Sequence, residues 1–305
     1  MPTGEFELIR WIRDRTEERP QVEIGPGDDT AVVRWNSNRC LFTTDSLLEG
    51  TCFLLAEAGP HRVGRKAMAV NLSDIAAMAG KPVAAVVSVC LPKEANSDLV
   101  QGLYEGMREV ADEFETAIVG GDTSVWGGEL VISVAMIGQV TGKGPVLRSG
   151  ARLGDWVCVT GPLGGSIQGK HLDFSPRVHE AQTLHTRVDL TAMIDISDGL
   201  ASDLNHICEE SGCGAVLFSQ DIPLTNESLY SPGPLSPVEH GLHDGEDLEL
   251  LFTVSPEVGR DLIRTQPIQG VTISRIGECV DRGLWLQEEK SRIPLTPKGY
   301  VHTLD

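Results

Sequence analysis

Positive charge is what this chain has least of: of 305 residues, 25 are Lys or Arg against 44 Asp or Glu, a formal net charge of −19. Such a surplus disfavours nucleic acid and anionic membranes as partners, because both are held by basic patches. Long apolar runs are missing too, and no stretch approaches the ~18 residues of a membrane span. The opening MPTGEFELIR lacks the basic head and apolar core of a secretory leader. Seven cysteines are an odd number and none forms CxxC, so neither a disulfide framework nor a zinc site is indicated. These absences describe a reduced, soluble, cytoplasmic protein. Absent motifs narrow the chemistry. There is no GxxxxGK[ST], no HRD or DFG, and no GxSxG, so P-loop, protein-kinase and serine-nucleophile chemistry have no support. The eight histidines make no HxxxH pair, and a lone one such as His206 reads as structural.

What remains is a patterned α/β or α+β chain. Phe6, Ile9 and Ile12 predict an amphipathic opening helix, and helical spacing recurs over 61–80 and 97–114. TAVVRW, CLFTTD, VAAVVSVCL, TAIVGGDTS and ELVISVAMIGQV predict strands in the first half. DWVCVTG, MIDIS, AVLFS, LELLFTV and VTISRIGE predict them in the second. A polar helical stretch is expected around 176–187, a helix through Leu204 and Ile207, and a surface loop over the Pro- and Ser-rich 221–241. Turn residues crowd into 141–155, the best place for a domain boundary.

Aspartates end or interrupt the apolar runs. Asp195 and Asp198 lie in MIDISDGL, Asp28 and Asp29 in GPGDDTAV, Asp45 in LFTTD and Asp122 in IVGGD, while Asn71 and Asp74 sit one helical turn apart in NLSD. One such Asp is an ordinary turn or cap residue. Several gathered in one cleft would repel each other strongly unless protonated or bridged by a cation. Magnesium suits carboxylate oxygens and keeps phosphates in its shell, so an Mg²⁺–polyphosphate site is the reading. GPLGGS at 161–166 is equally a phosphate cradle or a plain turn.

The blocks GEFELI, IGPGDDTAVV, FTTDSLLEG, AVNLSDIAAMAGKP, IVGGDTS, LRSGARLGD, IDISDGLASDL and GEDLELLF stand in the order found in thiamine-monophosphate kinases, which this chain closely resembles over nearly its whole length. That resemblance implies a two-domain fold. An N-terminal mixed sheet with helices (1–145) would bind ATP and Mg²⁺ and form a homodimer, and a C-terminal α/β domain (146–305) would cover the cleft. It implies direct transfer of the γ-phosphate of ATP to thiamine monophosphate, with several Mg²⁺ ions. Asp29, Thr43, Thr44, Asp45, Asp74, Asp122, Asp195 and Asp198 would be metal ligands. Gly121, Asp122, Arg148 and Ser197 would touch ATP, with Tyr104 near the adenine. Glu246 would meet the thiamine end. Asp45, Asp122 and Arg148 would do most for catalysis. No general base is needed, because a phosphate oxygen with a second pKa near ~6 is already anionic at neutral pH.

The chain departs from the family pattern on the thiamine side. Cys52 stands where a His is common. Pro297 stands where an aromatic usually precedes KGY, leaving Tyr300 as the nearby ring, and the stretch before MIDISDGL is short. Two other readings therefore stand beside the kinase: an ATP-dependent relative acting on another small acceptor, and a regulator that binds ATP or thiamine without turnover.

Overall fold

The computed structural model describes residues 22–24, 28–35, 38–231 and 233–299; the expected opening helix and Tyr300 lie outside them. The first half runs β1 (Val22–Ile24), β2 (Ala31–Trp35), β3 (Asn38–Leu48), α1 (Leu55–Ala77), β4 (Lys81–Pro92), α2 (Ser97–Glu113), β5 (Ala117–Trp126) and β6 (Val131–Gln139). Its strands form one sheet in the order β1-β2-β3-β6-β4-β5. Only β4 and β5 are parallel, and α2 supplies the crossover a parallel pair requires. Alternation along β3 buries Leu41 and Leu47 and leaves Phe42 and Leu48 exposed. One face of the sheet is thus covered by α1, and among the described residues the other is bare.

Helix α1 is buried almost all round from Val63 to Ala77. Small residues permit this. A Cβ on Gly64 would stand 2.0 Å from the Leu103 carbonyl oxygen, and one on Gly106 would stand 1.9 Å from that of His61, so α1 and α2 touch backbone to backbone. The helix also begins earlier than its apolar spacing predicts, with a break at Gly59 (φ 73°) before Pro60.

The second half runs β7 (Trp156–Thr160), α3 (Lys170–Asp173), α4 (Val178–Arg187), β8 (Ala192–Asp195), α5 (Leu200–Ser211), β9 (Gly214–Phe218), α6 (Asn226–Leu229), α7 (Pro237–His243), β10 (Leu250–Val254), α8 (Pro256–Thr265), β11 (Ile273–Val280), β12 (Leu284–Gln287) and β13 (Arg292–Pro294). The sheet order is β13-β12-β9-β11-β7-β10-β8. β8 and β10 are buried at every position, which explains the consecutive apolar residues Ala192–Ile194 and Leu250–Phe252. Met193, Leu248 and Phe252 join the same buried cluster as Met68 and Leu72, so the apolar core continues from one half into the other.

Three expectations need correction. The segment 221–241 is not all loop: it contains α6 and enters α7, whose Ser236 and Glu239 form a reciprocal capping box. β5 runs past the expected TAIVGGDTS to Trp126, and because a Cβ on Gly121 would lie 1.8 Å from the Val87 carbonyl oxygen, glycine there lets the edge strand close on β4. Strands β12 and β13 and helix α8 have no counterpart in the sequence reading. Among the described residues no helix is long and apolar enough to cross a membrane.

Candidate active site

A cleft of about 750 Å³ opens between the halves, lined on one side by Asp45, Asp74, Arg148 and Asp195. Four elements bring its acids together. Asp45 shares the inward row of β3 with Leu41 and Leu47, Asp74 lies on α1, Asp195 ends β8, and Asp29 precedes β2. The Thr43 hydroxyl donates to Asp74 and the Ser73 hydroxyl donates to Asp195, so β3 fixes the carboxylate on α1 and α1 in turn fixes the one that ends β8. Asp29, Asp74 and Asp195 each offer an oxygen within 4.8 Å of the others. Asp29 also accepts two hydrogen bonds from Arg148, from Nε at 3.0 Å and from the terminal nitrogen at 3.1 Å. Asp28 accepts from the Arg148 backbone N–H at 3.2 Å.

Burial and mutual repulsion push these acids upward. Asp195 is raised to about 8, by burial first and by Asp29 next. Asp28 is raised to about 7 by burial and then by Asp29. Asp74 is held well above the carboxylate range by burial, Asp45 and Asp195. Asp45 is raised by burial, with a hydrogen bond to Asp74 pulling back. Burial works against the charge of Arg148, but Asp29 and Asp28 more than offset it and hold the guanidinium above its ordinary value. A set of hard oxygen donors with unmatched negative charge suits a hard divalent cation and no soft metal.

The other end of the cleft contains Cys52, Lys66 and Glu246. Lys66 is 1% exposed, and its ammonium donates to both Glu246 carboxylate oxygens at 2.7 and 2.6 Å and to the Cys52 carbonyl at 2.7 Å. Glu246 (φ 60°) and Leu248 (φ 50°) hold the left-handed backbone that glycine usually occupies. Their amides donate to the Ser197 carbonyl at 2.7 Å and the Ile196 carbonyl at 2.8 Å, fastening this strained segment to the end of β8.

The chain does not bring every expected residue to this cleft. Asp45 is paired through Val134 and Val87 with Gly121, so Asp122, the next residue along β5, points to the opposite face, in a row with Ser46, Ser133 and Ser88. Two strands also intervene, a span of roughly 14 Å. Gly121 and Asp122 instead line a separate cavity of about 390 Å³ with Tyr104 of α2. Thr44 is likewise turned from the acids; its hydroxyl donates to the Val134 carbonyl at 2.9 Å. Ser197 and Asp198 do line the cleft, and Pro297 is exposed outside it. Arg148, expected to touch ATP, lines the cleft with its guanidinium already gripped by Asp29 in two places.

Several residues went unread in the sequence. Lys66 is the main one, and its signal was a single charge within the apolar row Val63, Ala67, Val70. Asp203, and His206 which the sequence reads as structural, each offer a ligand atom within 4.8 Å of one another and of one from Asp198. Asp203 accepts from the backbone N–H groups of Asp198 and Gly199, both at 3.1 Å, and so ties the turn that precedes α5 to the helix. Below the GPLGGS loop, buried Glu249 is held by Arg177 at 2.7 and 2.8 Å, Lys170 at 3.0 Å and Thr160 at 2.8 Å. Buried Asp247, raised to about 6 by burial, accepts from the Gly164 amide at 2.8 Å. The loop is therefore a fastened turn, its amides directed at protein carboxylates.

Residues 27–140 match the family described as AIR synthase related protein, N-terminal domain, and residues 154–284 match the corresponding C-terminal domain. The thiamine-monophosphate kinase of Rhodopirellula baltica is 39% identical, covering 98% of this chain and 97% of that one. That of Bacillus subtilis is 33% identical over 98% and 99%. A solved structure, AaThiL complexed with AMPPCP and TMP, is 32% identical, superposes with a TM-score of 0.83, and is covered to 97% by 98% of this chain.

Proposed function

We infer the function from one premise: the chain belongs to the AIR synthase related family, and within it to the thiamine-monophosphate kinases. It is a phosphotransferase that moves the γ-phosphate of ATP to the phosphate of thiamine monophosphate, giving thiamine diphosphate and ADP. The observation in this chain that carries the reading is the convergence of Asp29, Asp74 and Asp195 from three distant segments. Three converging carboxylates are hard oxygen donors suited to the divalent cations that phosphoryl transfer uses.

Asp29, Thr43, Asp45, Asp74, Asp195 and Asp198 would hold magnesium. Bound there, the ions would supply charge neutralisation between two approaching phosphates. The chain's own part is placement. Ser197 and Arg148 border the cleft where the triphosphate would lie, and Glu246 faces it where the thiamine rings would lie. The attacking oxygen needs no base, so nothing in the cleft has to take a proton. Incubation with ATP, Mg²⁺ and thiamine monophosphate should yield thiamine diphosphate; ATP consumed only with a different acceptor would favour the second reading, which exposed Pro297 and Cys52 motivate.

The placement of Asp122 favours a homodimer. Its face of the first sheet carries exposed Phe42, Leu48, Val86, Ile137 and Trp126. A second chain on that face would cover the apolar side chains and could bring Asp122, Gly121 and Tyr104 to its neighbour's acids. Mixing inactive Asp45→Asn and Asp122→Asn chains would then restore part of the activity; no recovery, or a monomer by light scattering, would refute this. The division near residue 145, with ATP chiefly on the first half, and a cytoplasmic location complete the reading.

A further inference from the structure

We propose that Lys66 is a positioning residue for the acceptor: its ammonium, reaching from α1 across to the second half, fixes the Glu246 carboxylate in the cleft. The proposal rests on Glu246 as the contact for the thiamine end. The exposures give the direction of the pair, since the Lys66 side chain is 1% exposed and that of Glu246 is 33% exposed. The ammonium lies behind and the carboxylate faces the cleft. An ammonium has three N–H donors, and here all are used, on Oε1 and Oε2 of Glu246 and on the Cys52 carbonyl. None is left for a substrate, so Lys66 acts through Glu246.

Glu246 needs such a hold. Its backbone stays left-handed only because surrounding contacts enforce it. One contact is its amide on the Ser197 carbonyl, and the other is Lys66. Lys66, Val70 and Asp74 stand at i, i+4 and i+8 on α1 and all line the cleft. The helix therefore carries the acid cluster at one end and the Glu246 anchor at the other, about 12 Å apart along its axis. Because α1 is buried and stiff, it sets a fixed spacing between the phosphate end and the ring end of the acceptor. The carboxylate, paired from behind, offers oriented lone pairs to an amino-bearing cationic heteroaromatic ring and is not a bare counter-charge.

The test uses the full chain with Lys66→Met, Glu246→Gln and the double variant, and measures kcat and KM for each substrate at saturation of the other. Lys66→Met should raise the KM for thiamine monophosphate about 30-fold, the worth of one misplaced charge-assisted hydrogen bond. The KM for ATP should move by no more than about twofold. The double variant should match Glu246→Gln alone, because Lys66 has nothing left to position. It also leaves no unpaired carboxylate at this position, so it carries the comparison even where Lys66→Met does not fold. Losses that multiply in the double variant, or that fall equally on ATP and acceptor, would overturn the proposal. Wild-type turnover with an unmoved acceptor KM in Lys66→Met ends the positioning role alone. An unmoved acceptor KM in Glu246→Gln, or a wild type forming no thiamine diphosphate, ends the reading beneath it as well.

Discussion

Raising the pH should destabilise this protein when divalent ions are withheld, and magnesium should remove the effect. Asp195 is buried at the end of β8 and is raised from 3.8 to about 8. Between those values the folded chain keeps a proton that the unfolded chain releases. Stability is therefore full in acid and falls by about 1.4 kcal/mol per pH unit as pH rises toward the folded value. From pH 5 to pH 7 that is about 3 kcal/mol for Asp195 alone. Asp28, raised to about 7, acts in the same direction. The two contributions add incompletely because neighbouring acids titrate together. At roughly 2 °C per kcal/mol for a chain of this size, Tm should fall by about 6 °C.

Melts followed by circular dichroism over this range, in EDTA and in millimolar Mg²⁺, check it. Bound cations require the carboxylates deprotonated, so the decline should vanish with magnesium. Burial holds His171, His185 and His206 below their ordinary value, which adds stability as pH rises toward 6.5. The difference between the two buffers isolates the acids from the first two. Asp195→Asn should flatten the EDTA curve. A Tm that is flat or rising relative to the magnesium series, or a decline undiminished in Asp195→Asn, would refute the reasoning.

Asp45→Asn and Asp122→Asn should each nearly abolish thiamine diphosphate formation without lowering Tm in EDTA, since one relieves repulsion with Asp74 and the other is exposed. Near-normal rates in both would remove the metal assignment. Glu249→Gln leaves Arg177 and Lys170 facing a neutral group in a buried setting. The cost should be about 3–5 kcal/mol, read as a lower urea midpoint; an unchanged midpoint would show the network to be dispensable. Gly121→Ala sets a Cβ against the Val87 carbonyl and should loosen β5. Faster amide exchange in 117–126 and weaker ATP binding should appear together, and exchange at the wild-type rate contradicts this.

Strands and helices with strong periodicity were legible because burial acts locally on spacing. The row Leu41, Thr43, Asp45, Leu47 alternates as a half-covered strand must, and β8 and β10 each begin with three consecutive apolar residues because both faces are covered. Elements held by tertiary contact were not legible. Short α6 and edge strand β13 bury too little of themselves to leave a periodic trace, and β12, which alternates and lies between β13 and β9, is only four residues long. Helix α7 did leave one, the Ser236–Glu239 capping box, inside a stretch whose prolines suggested a loop.

The acid residues themselves were determined by the sequence, because an aspartate at the end of an apolar run is visible without coordinates. The sequence also shows no nucleophile or catalytic-histidine motif, and an acceptor phosphate that is already anionic needs no base. Which acids meet was decided only by the fold. Period-two alternation sends Asp45 inward and Asp122 to the bare face, and two intervening strands separate them. The pairing of Lys66 with Glu246, 180 residues apart, was equally beyond the sequence. Electrostatic partnership depends on distance in space and on exclusion of water, and a chain has neither until it folds.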